Sequence, residues 1–308
     1  MPNRTLCVVF LLLALFLPQV ADLNAAEVII RSDEQLRLAE EAMGKGEHQR
    51  AVVELERFLH FFPDHEKVAR VRYLIGVCYL KGKAYEKARD ALGQVIKTYP
   101  GSPIAGDALF MIGESYYRQG LPQEAEKIFQ QVMAEYPEPE MKNRAIYRIG
   151  WCRMKTDRWK QASESFGAVD PGSPLHANAY LLSQKSLHGE TLPSKDPTTA
   201  GVMAGLLPGL GHAYCERYKD GLVALVLNGL FIWATYEAFD QDHDVLGGIL
   251  AFLELGWYSG NIYSAVNCAH KYNRAKKNDF LRNLKDETDL HLLVTDQGHV
   301  GLALQTRF

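Results

Sequence analysis

The sequence predicts an all-α protein: a solenoid of helix hairpins, then a small transmembrane helical bundle, then a short C-terminal β-hairpin. Three observations predict this order. Small and apolar residues recur every 37 positions in the first half of the chain, residues Ala200 to Ala269 are apolar and poor in charge, and two short apolar runs flank Asp296-Gln297-Gly298 near the C-terminus. The 308 residues carry 34 Lys+Arg against 37 Asp+Glu, a formal net charge of -3. A chain-wide basic footprint for nucleic acid is therefore absent. With 47% hydrophobic and 23% charged residues, the chain has enough apolar material for one or two packed domains, which argues against disorder.

Residues 1–26 read as a secretory signal peptide. Arg4 precedes the apolar run Leu6 to Leu17, Pro18 breaks it, and Ala21, Ala25 and Ala26 supply small residues for cleavage. The apolar run is too short for a helix that must cross about 30 Å of hydrocarbon. Cys7 lies before the apolar core, so it is not a lipid-attachment cysteine. Cleavage leaves Cys78, Cys152, Cys215 and Cys268, too few and too scattered for a disulfide framework; Cys78 and Cys152 read as small buried residues.

Residues 27–188 carry the repeats. Ala51, Ala88, Ala125 and Ala162 share the 37-residue spacing, as do Gly76, Gly113 and Gly150, and Pro63, Pro100 and Pro137. Leu55, Leu92, Phe129 and Phe166 stand four after each Ala. Small residues let two antiparallel helices cross closely, the large ones fill their seam, and Pro with its preceding aromatic (Phe62, Tyr99, Tyr136) stops the second helix. Each pair leaves a face for the next to cover. Leu175 to Leu187 closes the stack, and residues 189–199, with Pro193 and Pro197, read as a linker.

Ile75-Gly76, Tyr79, Ala88, Leu92 and Pro100, and their counterparts Ile112-Gly113, Tyr116, Ala125, Phe129 and Pro137, resemble the tetratricopeptide repeat (TPR) signature. About four such repeats span residues 33–171. The terminal units depart from it, with Ala39 in place of the Gly and Arg153 in place of the Tyr, as capping units do. The three residues beyond the usual 34, and Tyr-Pro-Gly-Ser-Pro before Ala105, are similar to repeats of the Tol-Pal coordinator and barrel-assembly lipoprotein families. The resemblance implies a concave face that binds a protein or peptide partner. Arg72, Tyr79, Tyr116, Tyr117, Arg118 and Arg153 are the candidates to line it; Tyr79 and Tyr116 have a second reading, as packing residues of the repeat.

Residues 200–270 predict a membrane domain of two to three hydrophobic helices: Ala200 to Cys215, Gly221 to Tyr236, and Val245 to Ala269. The first is broken by Pro208 among Gly205, Gly209 and Gly211, so it either crosses or is re-entrant. Acidic residues between the second and third segments (Glu237, Asp240, Asp242, Asp244) favour the outside, and the basic stretch from Lys271 to Lys285 favours the cytoplasm. A cleaved signal then requires three crossings. Leu206 to Tyr214 followed by Lys219-Asp220-Gly221 resembles small bacterial membrane domains with a Pro-Gly-Leu-Gly-x-x-Tyr motif, of the TM2-like kind, with His212 where Gln is usual. Gly205 to Gly209 and Gly256 to Gly260 have the small-xxx-small spacing of closely packed helices, which allows a homo-oligomer.

Glu254 sits inside the third segment, with Tyr258 and Asn261 on the same helical face and His212 or Asn228 as candidate partners. An intramembrane carboxylate is a functional candidate, or it orients the bundle through a hydrogen bond. Residues 271–308 read as a basic tail and a β-hairpin.

No phosphate loop, dinucleotide fingerprint, zinc-protease helix or nucleophile elbow occurs. His212 and Cys215 supply two metal ligands where a structural zinc site needs four, so neither cofactor nor metal is expected. The expected function is a non-enzymatic scaffold tethered to the bacterial inner membrane, in contact with its lipid. Its repeats are expected in the periplasm, gathering partners for envelope assembly, secretion or export. The alternative is an accessory subunit of a transport or insertion complex whose active part is the membrane bundle and Glu254.

Overall fold

The computed structural model describes residues 30–288, 290–294 and 300–304. The signal-peptide reading, with Cys7, and the Asp296-Gln297-Gly298 turn lie outside the described residues.

Four helix pairs follow one another: α1 (Ser32–Gly44) with α2 (His48–Phe61), α3 (Val68–Lys81) with α4 (Tyr85–Thr98), α5 (Pro103–Gln119) with α6 (Pro122–Glu135), and α7 (Pro139–Lys155) with α8 (Trp159–Gly167). The 37-residue spacing has a direct geometric meaning. A Cβ on Gly76 would stand 2.6 Å from Leu92, one on Gly113 2.6 Å from Phe129, and one on Gly150 2.6 Å from Phe166. In these three pairs the first helix therefore surrenders a side chain so that the large residue of the second can seat against its backbone. The series alanines Ala51, Ala88, Ala125 and Ala162 are fully buried, and α2, α4 and α6 end at residues followed by Phe62, Tyr99 and Tyr136.

A further series with the same spacing marks the turn inside each pair. Gly46, Lys83, Gly120 and Asp157 all have positive φ, at 75°, 62°, 87° and 61°. The turn demands a left-handed residue, which glycine supplies without steric cost and Lys83 does not. Successive pairs are also bound by charge. Asp107 on α5 and Arg144 on α7, 37 residues apart, form a buried pair at 3.0 Å, with the guanidinium over Phe110.

The helix α9 (His176–Ser186) and a 3-10 turn (Leu187–Thr191) close the stack. The segment read as a linker is held at both ends. Gly189 lies so close to Trp159 that a Cβ would overlap the indole at 2.2 Å, and the Asn273 amide brackets the Lys195 backbone, accepting from its N–H at 2.7 Å and donating to its carbonyl at 2.9 Å.

The first predicted membrane segment is divided into α10 (Pro197–Leu206, 10 residues) and α11 (Leu210–Tyr214, 5 residues). Neither is long enough to cross a bilayer, so the third crossing has no helix to carry it. The Pro-Gly-Leu-Gly-x-x-Tyr motif is instead a tight crossing point. Gly209 is left-handed (φ 87°), and a Cβ there would strike the Gly221 carbonyl at 2.0 Å; one on Gly211 would strike the Ala200 carbonyl at 2.1 Å. Tyr214 accepts a hydrogen bond from the Asp196 backbone N–H at 3.1 Å. The glycines are required because three backbones meet there.

Two long helices follow, α12 (Tyr218–Asp240, 23 residues) and α13 (Asp244–Thr288, 45 residues), which turn back on one another. At about 1.5 Å per residue α13 runs roughly 68 Å. Its beginning lies along α12, its middle along α10, and its end packs on α8 and α9. Phe280 meets Trp159 edge-on at 5.8 Å, Leu284 joins the core around Trp151 and Leu182, and Asn178 donates to the Thr288 carbonyl at 3.0 Å. Lys277 pairs with Asp157 at 2.9 Å, and Lys185 pairs with Glu287. Residues 271–288, read as a basic tail, are thus the last turns of one continuous helix docked on the solenoid. Beyond it, β1 (Leu290–Val294) and β2 (Val300–Leu304) pair antiparallel, Leu290 opposite Leu304.

Because α13 returns to the solenoid, its two ends lie on opposite sides of any layer that the α12–α13 hairpin crosses. The repeats and the basic stretch 271–288 share one side, and the acidic tip from Glu237 to Asp244 is on the other. The topology with repeats and tail on opposite sides does not fit this fold.

Candidate functional site

Two regions hold the residues that the sequence singled out. The first is the concave face of the solenoid, where α3, α5 and α7 stand side by side because the first helix of each pair packs inward. A cavity of about 810 Å³ opens there, lined by Tyr117, Arg118 and Glu114 of α5, Arg148, Trp151 and Lys155 of α7, and Lys81 of α3. Asn278, Leu281, Arg282 and Lys285 of α13 form its far wall. Glu114 lies between Arg148, its buried ion-pair partner, and Arg118 at 3.7 Å. The Arg148 guanidinium sits 4.2 Å from the Tyr117 ring centre and the Lys155 ammonium 4.8 Å from it. Burial pushes the Tyr117 phenol above its ordinary range.

Of the six residues expected on this face, the structure brings Tyr117 and Arg118 together in the cavity. Tyr79 lines a separate cavity of about 590 Å³ beside Cys78 and the α1–α2 turn. Tyr116 is covered by Arg89, whose guanidinium is 4.5 Å from the ring centre. Arg153 donates to Glu126 at 2.9 Å and to Ser165 at 2.8 Å, so it links two repeats. Arg72 is exposed on α3. Arg148, Lys155 and Trp151 were not singled out from the sequence, although all three follow Gly150 or precede it on the same helix that carries Arg153. The α13 wall had no sequence signal pointing to it, since Lys285 shares the lining with Lys155, which stands 130 positions before it.

The second region is the α12–α13 hairpin. Its polarity is inverted relative to a water-soluble pair of helices. Leu222, Val226, Leu230 and Trp233 on α12 and Val245, Ile249, Phe252 and Leu255 on α13 are exposed, whereas Asn228, Glu254 and Asn261 are buried. Among the described residues α12 is the helix long and apolar enough to cross a membrane by length and composition, with a mean hydropathy of 1.6. Glu254 and Asn261 fall seven residues apart on the stripe of α13 that faces inward, with Gly247, Ala265 and Cys268.

The expected partnership of Glu254 with His212 or Asn228 does not form. His212 is within 3.0 Å of Ser264, and Asn228 donates to the Ala224 carbonyl on its own helix. Both carboxylate oxygens of Glu254 and both amide atoms of Asn261 are buried with no hydrogen-bond partner. Tyr258 reaches away from them and donates to the Gly205 carbonyl at 3.1 Å, tying α13 to α10.

A tetratricopeptide repeat model matches residues 70–102 and 107–139, which are α3 with α4 and α5 with α6. The repeats are therefore tetratricopeptide repeats. No curated protein sequence matches the chain. Among solved structures, the chain is similar to YrrB, a TPR protein described as having an unusual peptide-binding site, at 18% identity over 72% of this chain and 91% of that one, with a TM-score of 0.36. It is also similar to a tetratricopeptide repeat protein from Parabacteroides merdae at 14% identity, over 82% of this chain and 98% of that one, with a TM-score of 0.40. A third is the Rap conjugation regulator of plasmid pLS20 in complex with a Phr peptide, at 14% identity over 94% and 87%, with a TM-score of 0.40.

Proposed function

Taking the tetratricopeptide repeats as the premise, we propose that this chain is a non-enzymatic scaffold that holds protein or peptide partners on the concave face of its solenoid at the bacterial inner membrane. The observation that carries the reading is the continuity of α13. One helix runs from an apolar hairpin with buried polar residues to the wall of the repeat groove, so a partner in the groove is held at a fixed distance from the surface that the hairpin enters. Large apolar side chains spread over α12 and the first half of α13 support lipid as their surroundings, since water penalises such a surface.

The signal-peptide pattern supports a periplasmic solenoid, and the 37-residue repeat with its Tyr-Pro-Gly-Ser-Pro turn supports the likeness to envelope repeat proteins. The hairpin then crosses twice and places its acidic tip in the cytoplasm. A Cβ on Gly205 would stand 3.6 Å from Ile262 and one on Gly209 would strike Gly221, whereas a Cβ on Gly256 or Gly260 would meet nothing within 4 Å; the second pair is the one free to pack against another copy. Deleting residues 33–171 should abolish capture of envelope partners while the remainder still fractionates with the membrane. Capture that survives this deletion would refute the scaffold reading.

The second reading, an accessory subunit of a transport or insertion complex, rests on Glu254, a buried carboxylate without a hydrogen-bond partner. Glu254→Gln separates the two: lost function at normal protein level and oligomeric state favours the membrane bundle as the active part, and unchanged function favours the repeats.

A further inference from the structure

We infer that the cavity between the solenoid and α13 is a binding site for an acidic, extended peptide segment of a partner protein. The inference rests on the scaffold reading and names the chemistry of its partner. The solenoid contributes Lys81, Lys83, Arg118, Arg148 and Lys155, and α13 adds Arg282 and Lys285; against these seven cations Glu114 is the carboxylate in the lining. Glu114 is already shared by Arg148 and Arg118, and Arg282 is 3.7 Å from Asp279. Lys81, Lys83, Lys155 and Lys285 have no ion-pair partner among the described residues. Burial first, then the neighbouring charges of Arg148, Lys285 and Lys277, lower the pKa of Lys155; burial and Arg118 do the same for Lys81. Like charges have been gathered where they repel, and an anion between them relieves the repulsion.

The shape selects a peptide over a small ion. The cavity spans α3, α5 and α7, and neighbouring helices pack about 8–10 Å apart. Its length is then about 20 Å, which an extended chain of roughly six residues fills at about 3.3 Å each. Tyr85, Tyr117 and Leu281 share the lining with the cations, so the matching segment combines Asp or Glu with apolar side chains. A phosphate ion leaves most of that lining uncovered.

The test uses the full chain in detergent micelles and a fluorescein-labelled peptide of alternating Glu and Leu, with a Lys-for-Glu peptide as control. Saturable binding of the Glu peptide, weakened by added salt and absent for the Lys peptide, is expected. Lys155→Glu with Lys285→Glu should weaken it at least about tenfold, and Lys285→Gln alone, on an exposed face of α13, about threefold. Equal binding of the two peptides overturns the inference, as does unchanged affinity in variants that keep their helical circular dichroism. Binding of inorganic polyphosphate with no binding of the Glu peptide overturns it in favour of a small-polyanion site. A photo-crosslinking residue at Lys83 in cells separates this outcome from the broader reading. Partners that crosslink while the Glu peptide fails leave the scaffold standing and reject only its acidic specificity; no crosslinked partner at all rejects both.

Discussion

At the scale of the residue, the repeat is a set of steric and electrostatic positions whose occupants differ in cost. The left-handed turn position is filled by glycine in two pairs and by Lys83 and Asp157 in the others. A non-glycine residue at positive φ costs on the order of 1 kcal/mol, so Lys83→Gly should raise the urea midpoint by an amount equivalent to about 0.5–1 kcal/mol, despite the general rule that glycine destabilises. Buried thiols give a second prediction. Cys78 and Cys152 are fully buried, and burial pushes both thiols up to about 12. A thiol in the unfolded chain titrates near 8.5, so the unfolded state loses its proton first as pH rises. The stabilisation of the protonated native thiols is intact below about 8.5 and falls by about 1.4 kcal/mol per pH unit for each thiol between that value and 12. Replacing both with alanine should flatten the decline of folding stability between pH 9 and 10, and a slope identical to the parent would show that these thiols do not titrate on unfolding. The Gly, Ala and Pro series were legible because residue identity reports directly on close helix crossing. The turn series was not, because Lys83 and Asp157 carry no outward sign that their backbone is left-handed.

At the scale of the element, α13 is the part least visible in the sequence and the most consequential in the fold. Composition changes abruptly near Lys271, and a change from apolar to basic ordinarily signals the end of a membrane segment. The backbone ignores that change, since nothing between Asp244 and Thr288 breaks a helix: the stretch holds no proline. The docking face was encoded, sparsely, by Phe280, Leu281 and Leu284 at helical spacing, with Lys277, Asn273 and Thr288 supplying polar ties. Three apolar residues amid six basic ones make a weak periodic signal, and their partners lie more than a hundred positions away. Leu284 is 3% exposed in the cluster with Trp151, Trp159 and Leu182. Leu284→Ala should cost about 2–5 kcal/mol and detach the end of α13 before the repeats unfold. Hydrogen exchange checks this: amides of 275–288 should lose protection while those of α3 to α6 keep theirs, and uniform loss across the chain would mean that α13 and the solenoid form one cooperative unit. The glycine-rich stretch at Gly209 and Gly211 shows the opposite case, glycines that stand out in the sequence but whose work, the meeting of three backbones, only the packing reveals.

At the scale of the whole molecule, two sequence signals disagree once the path of the chain is known. The signal-peptide pattern predicts repeats on the outside, whereas the basic residues that flank the hairpin predict the inside, and the return of α13 to the solenoid puts both on one side. The disagreement is resolved by where the basic residues are spent. Within residues 271–288 Lys277 is paired with Asp157 at 2.9 Å and Arg282 lies 3.7 Å from Asp279, so part of the charge is consumed within the folded domain. Large domains translocate with little regard to their charge, and the first hydrophobic segment usually sets orientation. The expected arrangement has the repeats and residues 271–288 outside and the Glu237–Asp244 tip inside. In a variant whose native cysteines are replaced, single cysteines at Asp64, Arg274 and Asp242 report it through a membrane-impermeant maleimide applied to spheroplasts. Positions 64 and 274 should react together and position 242 only after permeabilisation. Reaction at 242 alone puts the solenoid in the cytoplasm and rejects the signal reading, whereas opposite behaviour at 64 and 274 is incompatible with an unbroken α13 docked on the repeats. Reaction at all three means that the hairpin does not cross, and its apolar surface must then be covered by protein rather than lipid.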